Sequence, residues 1–170
     1  MRALKFIFPA IAAIILAGCS GYHLGAVNGA VAGDKTIEVK PFDNQTMQPR
    51  LNDAVTQALR ERLQADATFR LATDGGGDVV VTGEIHGFET EGLGYLGGDA
   101  ATAQNYRVSV TVHVVARERA TGKVLLDRDV KGHTLVSVGS DLASAERQAA
   151  PLLGADVAKN ITALLAEGGW

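Results

Sequence analysis

The stretch Tyr106-Arg107-Val108-Ser109-Val110-Thr111-Val112-His113-Val114 alternates between apolar and polar side chains. Neighbouring side chains of a β-strand point to opposite faces of the sheet, so this alternation predicts a strand over residues 106–114 with one buried face and one wetter face. The valine face needs a second layer of structure to cover it. This strand is therefore the element from which the rest of the fold is inferred.

Two further strands are predicted as neighbours of this one. The segment Ala120-Thr121-Gly122-Lys123 is typical of a hairpin turn, and it leads into a partner strand over residues 124–135. On the other side, residues 78–89 alternate again, and Gly83 is a candidate β-bulge. Together these patterns predict antiparallel pairing along the chain.

The stretch between these strands, residues 87–103, is rich in glycine and is predicted to be a loop. Leu93, Tyr95 and Leu96 lie at its centre, where no periodicity draws them into a core. Exposed apolar side chains in a loop are typical of a contact with a partner, so these three are predicted partner-binding residues. The alternative is a loop that has no partner.

Two amphipathic helices complete the pattern. Apolar residues recur three and four apart over residues 49–65, with Pro49 suited to the first helical position. A final helix begins after Ser140 or Asp141, either of which can cap it. Pro151 lies inside that helix and should kink it or divide it in two.

The order of elements predicts an α+β fold. A short strand over residues 36–42 ends near Pro41, and another is predicted at residues 69–71. The predicted architecture is a two-layer sandwich in the order β-α-β-β-β-α, with a mostly antiparallel sheet of about four strands. Both helices cover one face of the sheet, so the other face stays more open.

The N-terminus is typical of an exported protein. Arg2 and Lys5 precede a short apolar run that ends in Leu16-Ala17-Gly18-Cys19. This run is too short to span a membrane, which takes about 20 apolar residues, and it indicates a signal peptide over residues 1–18. The four-residue segment resembles the lipobox of bacterial lipoproteins, in which the cysteine carries lipid after cleavage. The alternative is an ordinary signal peptide that leaves Cys19 as a spare thiol.

The resulting organisation is a lipidated N-terminus and flexible tether over residues 19–34, followed by a single periplasmic domain over residues 35–170. The predicted signal holds two of the 16 basic residues and none of the 19 acidic ones, so the other 152 residues carry a formal net charge of −5. This balance argues against nucleic-acid binding, which needs a clustered basic face. With one cysteine, the chain cannot form an internal disulfide.

The sequence offers no motif for catalysis, so we expect a protein that is not an enzyme and needs no cofactor. Four histidines, His23, His86, His113 and His133, lack the spacing of a metal site, and we expect no metal. His86 and His113 fall on the polar faces of neighbouring predicted strands, where a contact between them is conceivable. Solvated polar residues are the commoner explanation of that pattern.

Several segments resemble the LPS-assembly lipoprotein family, LptE. The resemblance rests on the order of the following pieces: Cys19-Ser20-Gly21-Tyr22-His23-Leu24-Gly25, then Thr36-Ile37-Glu38-Val39-Lys40-Pro41-Phe42-Asp43-Asn44-Gln45-Thr46, Pro49-Arg50-Leu51, residues 106–114, Thr121-Gly122-Lys123-Val124 and Glu146-Arg147-Gln148-Ala149. The resemblance implies an outer-membrane lipoprotein, anchored at the periplasmic face through acylated Cys19. It also implies a plug that helps to assemble an LptD-like β-barrel and assists lipopolysaccharide insertion at the cell surface.

Lipopolysaccharide is anionic, so a chain of this charge needs a local cluster of cations to hold it. The last two predicted strands and their turn would gather six basic side chains, which are the predicted lipopolysaccharide-binding residues: Arg107, Arg117, Arg119, Lys123, Arg128 and Lys131. The alternative is a solvated hairpin with ordinary charges, because Glu118, Asp127 and Asp129 are interleaved with them.

A second class of function is a periplasmic lipoprotein that regulates a cell-wall synthase or belongs to a secretion complex. Such a regulator would need a long linker to cross the periplasm. The tether from Ser20 to Asp34 has 15 residues, and a flexible chain of that length extends only roughly 20 Å. The short tether favours the plug.

Overall fold

A computed structural model describes residues 34–66, 68–96, 99–137 and 141–167, without the side chains of residues 94–104. The strands are β1 (Thr36–Val39), β2 (Asp43–Asn44), β3 (Arg70–Leu71), β4 (Val79–Leu96), β5 (Asp99–Glu118) and β6 (Val124–Ser137). The helices are α1 (Leu51–Asp66), between β2 and β3, and α2 (Leu142–Glu167), which follows β6. The fold is α+β, as predicted.

The sheet is mixed and has six strands, which corrects the prediction of a mostly antiparallel sheet with about four. The element order is β-β-α-β-β-β-β-α, and the predicted order β-α-β-β-β-α is wrong by two short strands. The strand order in the sheet is β3-β1-β4-β5-β6, and β2 pairs with β4 beyond the end of β1. β1 pairs in parallel with β3 and β4, and β2 also runs parallel to β4, whereas β4, β5 and β6 form an antiparallel meander. The two-residue strands β2 and β3 are too short to show a period in the sequence.

The hairpin of β4 and β5 is much longer than predicted. Pairing continues to Leu96 on β4 and resumes at Asp99 on β5, so most of the predicted loop over residues 87–103 is strand. Backbone pairing in a hairpin does not require side-chain alternation, which is why the glycine-rich sequence misled the prediction. β6 accompanies β5 only as far as Asn105. The rest of the hairpin is a two-stranded arm.

One core joins the sheet to both helices. Every valine of the quoted stretch is fully buried, as is Leu59 of α1. α1 and α2 both pack over this face and against each other. The two helices approach closely at Gly154, where a Cβ atom would lie 2.7 Å from the Ala54 carbonyl oxygen. The predicted two-layer arrangement with a common helix-sheet core is confirmed.

The bulge in β4 lies at His86 rather than at Gly83. The register skips from Ile85 to Gly87, so that the residues facing the helices change from odd to even numbers. Gly83 has another role, because a Cβ atom there would lie 2.3 Å from the buried ring of Phe42. Glycine is required at that position for close packing.

The helix ends partly match the predictions. α1 begins at Leu51, directly after Arg50, whose φ is 62°. Pro49 therefore lies outside the helix. Asp141 caps α2 by accepting the Ala143 and Ser144 N–H groups at 3.1 Å each. α2 is a single helix through Pro151, so the predicted division does not occur. No helix in the described segments is long and apolar enough to cross a membrane.

Candidate functional site

The helix-free face of the sheet is the broadest polar surface formed by β4, β5 and β6. The strand register places alternate residues of each strand there, opposite to the buried valines. Most of them are polar and exposed or half-exposed: Thr82, Glu84, His86, Ser109, Thr111, His113, Asp127, Asp129, Lys131 and His133. Val115 and Leu135 are apolar residues on the same face. The polar half of the quoted stretch therefore faces outward, as its alternation predicts.

A cluster of two histidines and two aspartates lies at the centre of this face. His113 is held between two carboxylates, with Nδ1 3.0 Å from Asp129 Oδ1 and Nε2 3.3 Å from Asp127 Oδ1. His86 Nε2 lies 3.4 Å from the same Asp129 oxygen. The two histidines, for which the sequence made a contact only conceivable, therefore share Asp129 as a partner.

The hydrogen bond from His113 holds the pKa of Asp129 below its usual value, with a smaller contribution from His86. All four side chains are between 38% and 56% exposed, so solvent weakens these attractions. Within the described residues, no group of three or more histidine, cysteine, aspartate and glutamate side chains has a geometry that would hold a metal ion. The cluster can link the three strands through charge.

The six predicted lipopolysaccharide-binding residues do not form one cluster. Arg107 and Lys131 line the same depression of about 430 Å³ on the helix-free face. Arg117 lies at the far end of that face, Lys123 in the hairpin turn, and Arg128 is in register with Val114, on the helix-covered face. The prediction missed this because β-strand geometry sends alternate residues to opposite faces.

Arg119 has a structural partner that the sequence did not reveal. Its guanidinium donates to Glu38 and, at 2.8 Å, to the Gly77 carbonyl oxygen. Glu38 is 6% exposed and is the one buried carboxylate in the described part of the chain. Lys40 Nζ lies 2.5 Å from Glu38 Oε1. The hydrogen bond from Lys40, together with its charge and that of Arg119, lowers the pKa of Glu38.

Of the predicted partner-binding residues, Tyr95 and Leu96 lie on the two-stranded arm, and Leu93 lies at its base, where β5 is still paired with β6. The Leu93 side chain is 41% exposed on β4. Tyr95 and Leu96 belong to the same strand, and their side chains lie outside the described part. Cys19 and His23 also lie outside the described residues. Leu93 is thus an exposed apolar side chain at the base of the arm.

Three solved structures share this fold at low sequence identity. The hypothetical protein CT253 from Chlamydia trachomatis is 12% identical with a TM-score of 0.57, over 79% of this chain and 97% of that one. A putative lipoprotein from Caulobacter crescentus is 10% identical with a TM-score of 0.50, over 74% and 88% of the two chains. A minor lipoprotein from Acinetobacter baumannii is 14% identical with a TM-score of 0.50, over 78% and 92%.

Sequence comparison assigns the family. No curated protein sequence matches the chain significantly. The family model described as "LptE: Lipopolysaccharide-assembly" matches residues 35–166, which include every strand and nearly all of α2. The resemblance inferred from the order of short segments is therefore confirmed. This chain belongs to the LptE family of lipopolysaccharide-assembly proteins.

Proposed function

We propose that this protein is a lipid-anchored component of the outer membrane that plugs and helps to assemble an LptD-like β-barrel, and that assists lipopolysaccharide insertion at the cell surface. The observation that carries this proposal is the family match over residues 35–166. The role is non-catalytic. Acylated Cys19 supplies the membrane anchor, and the tether over residues 19–34 keeps the domain close to the membrane.

The arrangement of the two layers suits a plug. The helices cover one face of the sheet, and the other face is mostly polar over the whole width of β4, β5 and β6. The lumen of a wide outer-membrane barrel is polar and holds water, so a polar sheet face can lie against it without burying unpaired apolar surface.

The arm lies at the end of β4 opposite to Thr36, where β1 begins. β1 pairs with the first residues of β4. At about 3.3 Å per residue, β4 can extend roughly 56 Å between its ends. We propose that the arm, with Tyr95, Leu96 and Leu93 at its base, contacts the barrel at a distance from the anchored terminus.

The depression beside Arg107 and Lys131 is the best candidate contact for lipopolysaccharide. Both cations line it, together with Ser109, Thr111, His133 and one acidic residue, Glu89. Phosphate and carboxylate groups bind such a combination of positive charge and hydrogen-bond donors. Arg107 also lies 3.4 Å from Glu91, so an anionic ligand would compete with that exposed carboxylate.

Co-purification from detergent-solubilised outer membrane tests the barrel contact. The tagged wild-type chain should retain a large β-barrel, and Leu93→Ser should reduce its yield. Leu152→Ser is the matched control, because Leu152 is 55% exposed on α2, on the opposite side of the sheet from the face proposed to line the lumen. Recovery of a cell-wall synthase in place of a barrel would contradict the function. Equal barrel yields from the two variants would contradict only the contact through the arm.

Lipopolysaccharide binding is tested separately with purified protein. The double variant Arg107→Gln and Lys131→Gln should bind lipopolysaccharide more weakly than the wild type, while Arg128→Gln, on the other face, should leave binding unchanged. Photo-crosslinking of the protein to lipopolysaccharide, or light scattering of the mixture, can measure the difference in binding between the variants. Equal weakening by both changes would remove the assignment to this depression.

A further inference from the structure

The two long edges of the sheet differ in how their backbone groups are protected. β6 is one edge, and α2 covers its middle. The Asp156 carboxylate accepts the His133 N–H at 3.0 Å, and the Asn160 side chain donates to the Lys131 carbonyl oxygen at 2.9 Å. An uncovered edge strand is a template for pairing with another chain, and these contacts block that pairing.

Along the outer half of β4, the residues that the structure describes leave the other edge uncovered. β1 pairs with residues 79–81, and β2 with residues 84–85. The last contact on this side is the Gln45 N–H, which donates to the Ile85 carbonyl oxygen at 2.9 Å. From Gly87 to Leu96, the strand that pairs with β4 is β5, on the other side.

The register identifies the backbone groups that face outward on this edge. Val81 and Ile85 direct their carbonyl groups away from β5, since Lys40 and Gln45 donate to them. The bulge at His86 shifts the alternation by one residue, so beyond it Phe88, Thr90 and Gly92 present N–H and C=O groups outward. We call residues 88–92 the open edge. Among the described residues, no hydrogen bond reaches these backbone groups.

A depression of about 420 Å³ lies next to the open edge. It is bordered by the β2–α1 connection, β4 and the first turns of α2, through Gln45, Thr46, Met47, Gln48, His86, Phe88, Thr90 and Glu146. Met47 is 99% exposed at its rim, and Phe88 packs partly against the core. On the helix-covered side, an added strand would therefore find two apolar contacts, Met47 and Phe88, beside polar side chains that include the Glu146 carboxylate.

On the helix-free side, the open edge is acidic. Glu89 and Glu91 are exposed there, and Arg107 contacts only the second of them among the described residues, at 3.4 Å. A strand laid beside β4 would place alternate side chains next to these carboxylates, where opposite charges stabilise cross-strand pairs. The two faces together select a segment that alternates apolar and basic residues.

We propose that the open edge binds an extended, alternately apolar and basic segment of a partner polypeptide by strand addition to β4. Main-chain hydrogen bonds to residues 88, 90 and 92 provide affinity, and the two faces provide specificity. The proposal does not depend on the identity of the barrel, because it concerns backbone groups that the fold leaves open on one edge and caps on the other.

The test uses the full chain in detergent and a fluorescent peptide of eight residues, capped at both ends, that alternates valine and lysine. A peptide that alternates valine and glutamate is its control. Anisotropy should show binding of the lysine peptide and at least about tenfold weaker binding of the glutamate peptide. Similar affinities for both peptides would overturn the charge-selective proposal.

Two variants locate the binding. Thr90→Pro removes an outward N–H without removing a β4–β5 bond, and should weaken the lysine peptide at least about tenfold. Thr90→Val keeps that N–H and loses only the hydroxyl that donates to Glu146 at 2.9 Å, so its affinity should match the wild type. Equal affinity of the proline variant, with a wild-type melting temperature, would overturn the proposal.

If Thr90→Pro does not fold, Glu89→Lys decides the question. Glu89 lies on the exposed, helix-free face, so a lysine there should reverse the preference and favour the glutamate peptide over the lysine peptide. An unchanged preference would overturn the proposal. Light scattering of the full chain tests whether a second copy of the chain occupies the open edge instead. A wild-type dimer that Glu89→Lys converts to monomer would assign the open edge to a second copy and overturn the proposed partner.

Discussion

Replacing Val110 with aspartate tests the face assignment of the central strand. Val110 is fully buried opposite Phe88 on β4 and Gly132 on β6. The change forfeits about 1.5–3 kcal/mol of apolar burial. It also buries a carboxyl whose pKa would rise by roughly 3–5 units, so that near neutral pH it stays largely protonated in the folded state. Relative to an unfolded pKa of about 3.9, at 1.36 kcal/mol per unit, this adds about 4 kcal/mol at pH 7.

The sum, roughly 5–7 kcal/mol, is a large part of the whole stability of a typical domain, about 5–15 kcal/mol. The Val110→Asp chain should therefore be unfolded or nearly so. Its matched control is Thr111→Asp, one residue along on the helix-free face and in register with Lys131. That change should alter the free energy of unfolding by less than about 1 kcal/mol.

Urea unfolding followed by circular dichroism, on the mature chain with Cys19→Ala to keep it soluble, gives both values. Their pH dependence provides a second check. The new aspartate ionises first in the unfolded state, so the deficit of Val110→Asp should shrink as the pH falls toward the unfolded pKa of about 3.9. A cooperative transition of Val110→Asp near the parent midpoint at neutral pH would refute the assignment.

Three other predictions follow from separate features. Gly154→Val forces a side chain against the Ala54 carbonyl oxygen and should cost about 1–3 kcal/mol of stability. Its control, Ala155→Val on the exposed side of α2, should cost less than about 1 kcal/mol, the difference in helix propensity. Thermal unfolding of both variants measures the two costs. The pKa of Glu38 is lowered from its usual 4.5, so its contribution to stability is complete above that value and is lost as the pH falls through the folded pKa. Glu38→Gln should therefore flatten the acid limb of a plot of stability against pH. An unchanged acid limb would contradict this role. Cys19→Ala should abolish incorporation of a palmitate analogue in metabolic labelling, and persistent label would refute lipidation at that residue.

The sequence by itself determined the elements whose side chains must separate apolar from polar surface. The alternation over residues 106–114 and the spacing of three and four around Leu59 predicted their faces correctly, because burial imposes a period on each element. The order of short segments indicated the family, which the match over residues 35–166 confirms. The lipobox resemblance at Cys19 remains a prediction.

Tertiary structure alone decided what depends on strand register and on distant partners. The parallel pairing of β1 with β3 and the long arm of β4 and β5 come from backbone hydrogen bonds, which carry no side-chain period. Register also sent Arg128 to the opposite face from Arg107 and placed His86 and His113 against Asp129. Folding brings these residues together across strands, so the physical reason for their contacts is pairing geometry that no local pattern in the sequence encodes.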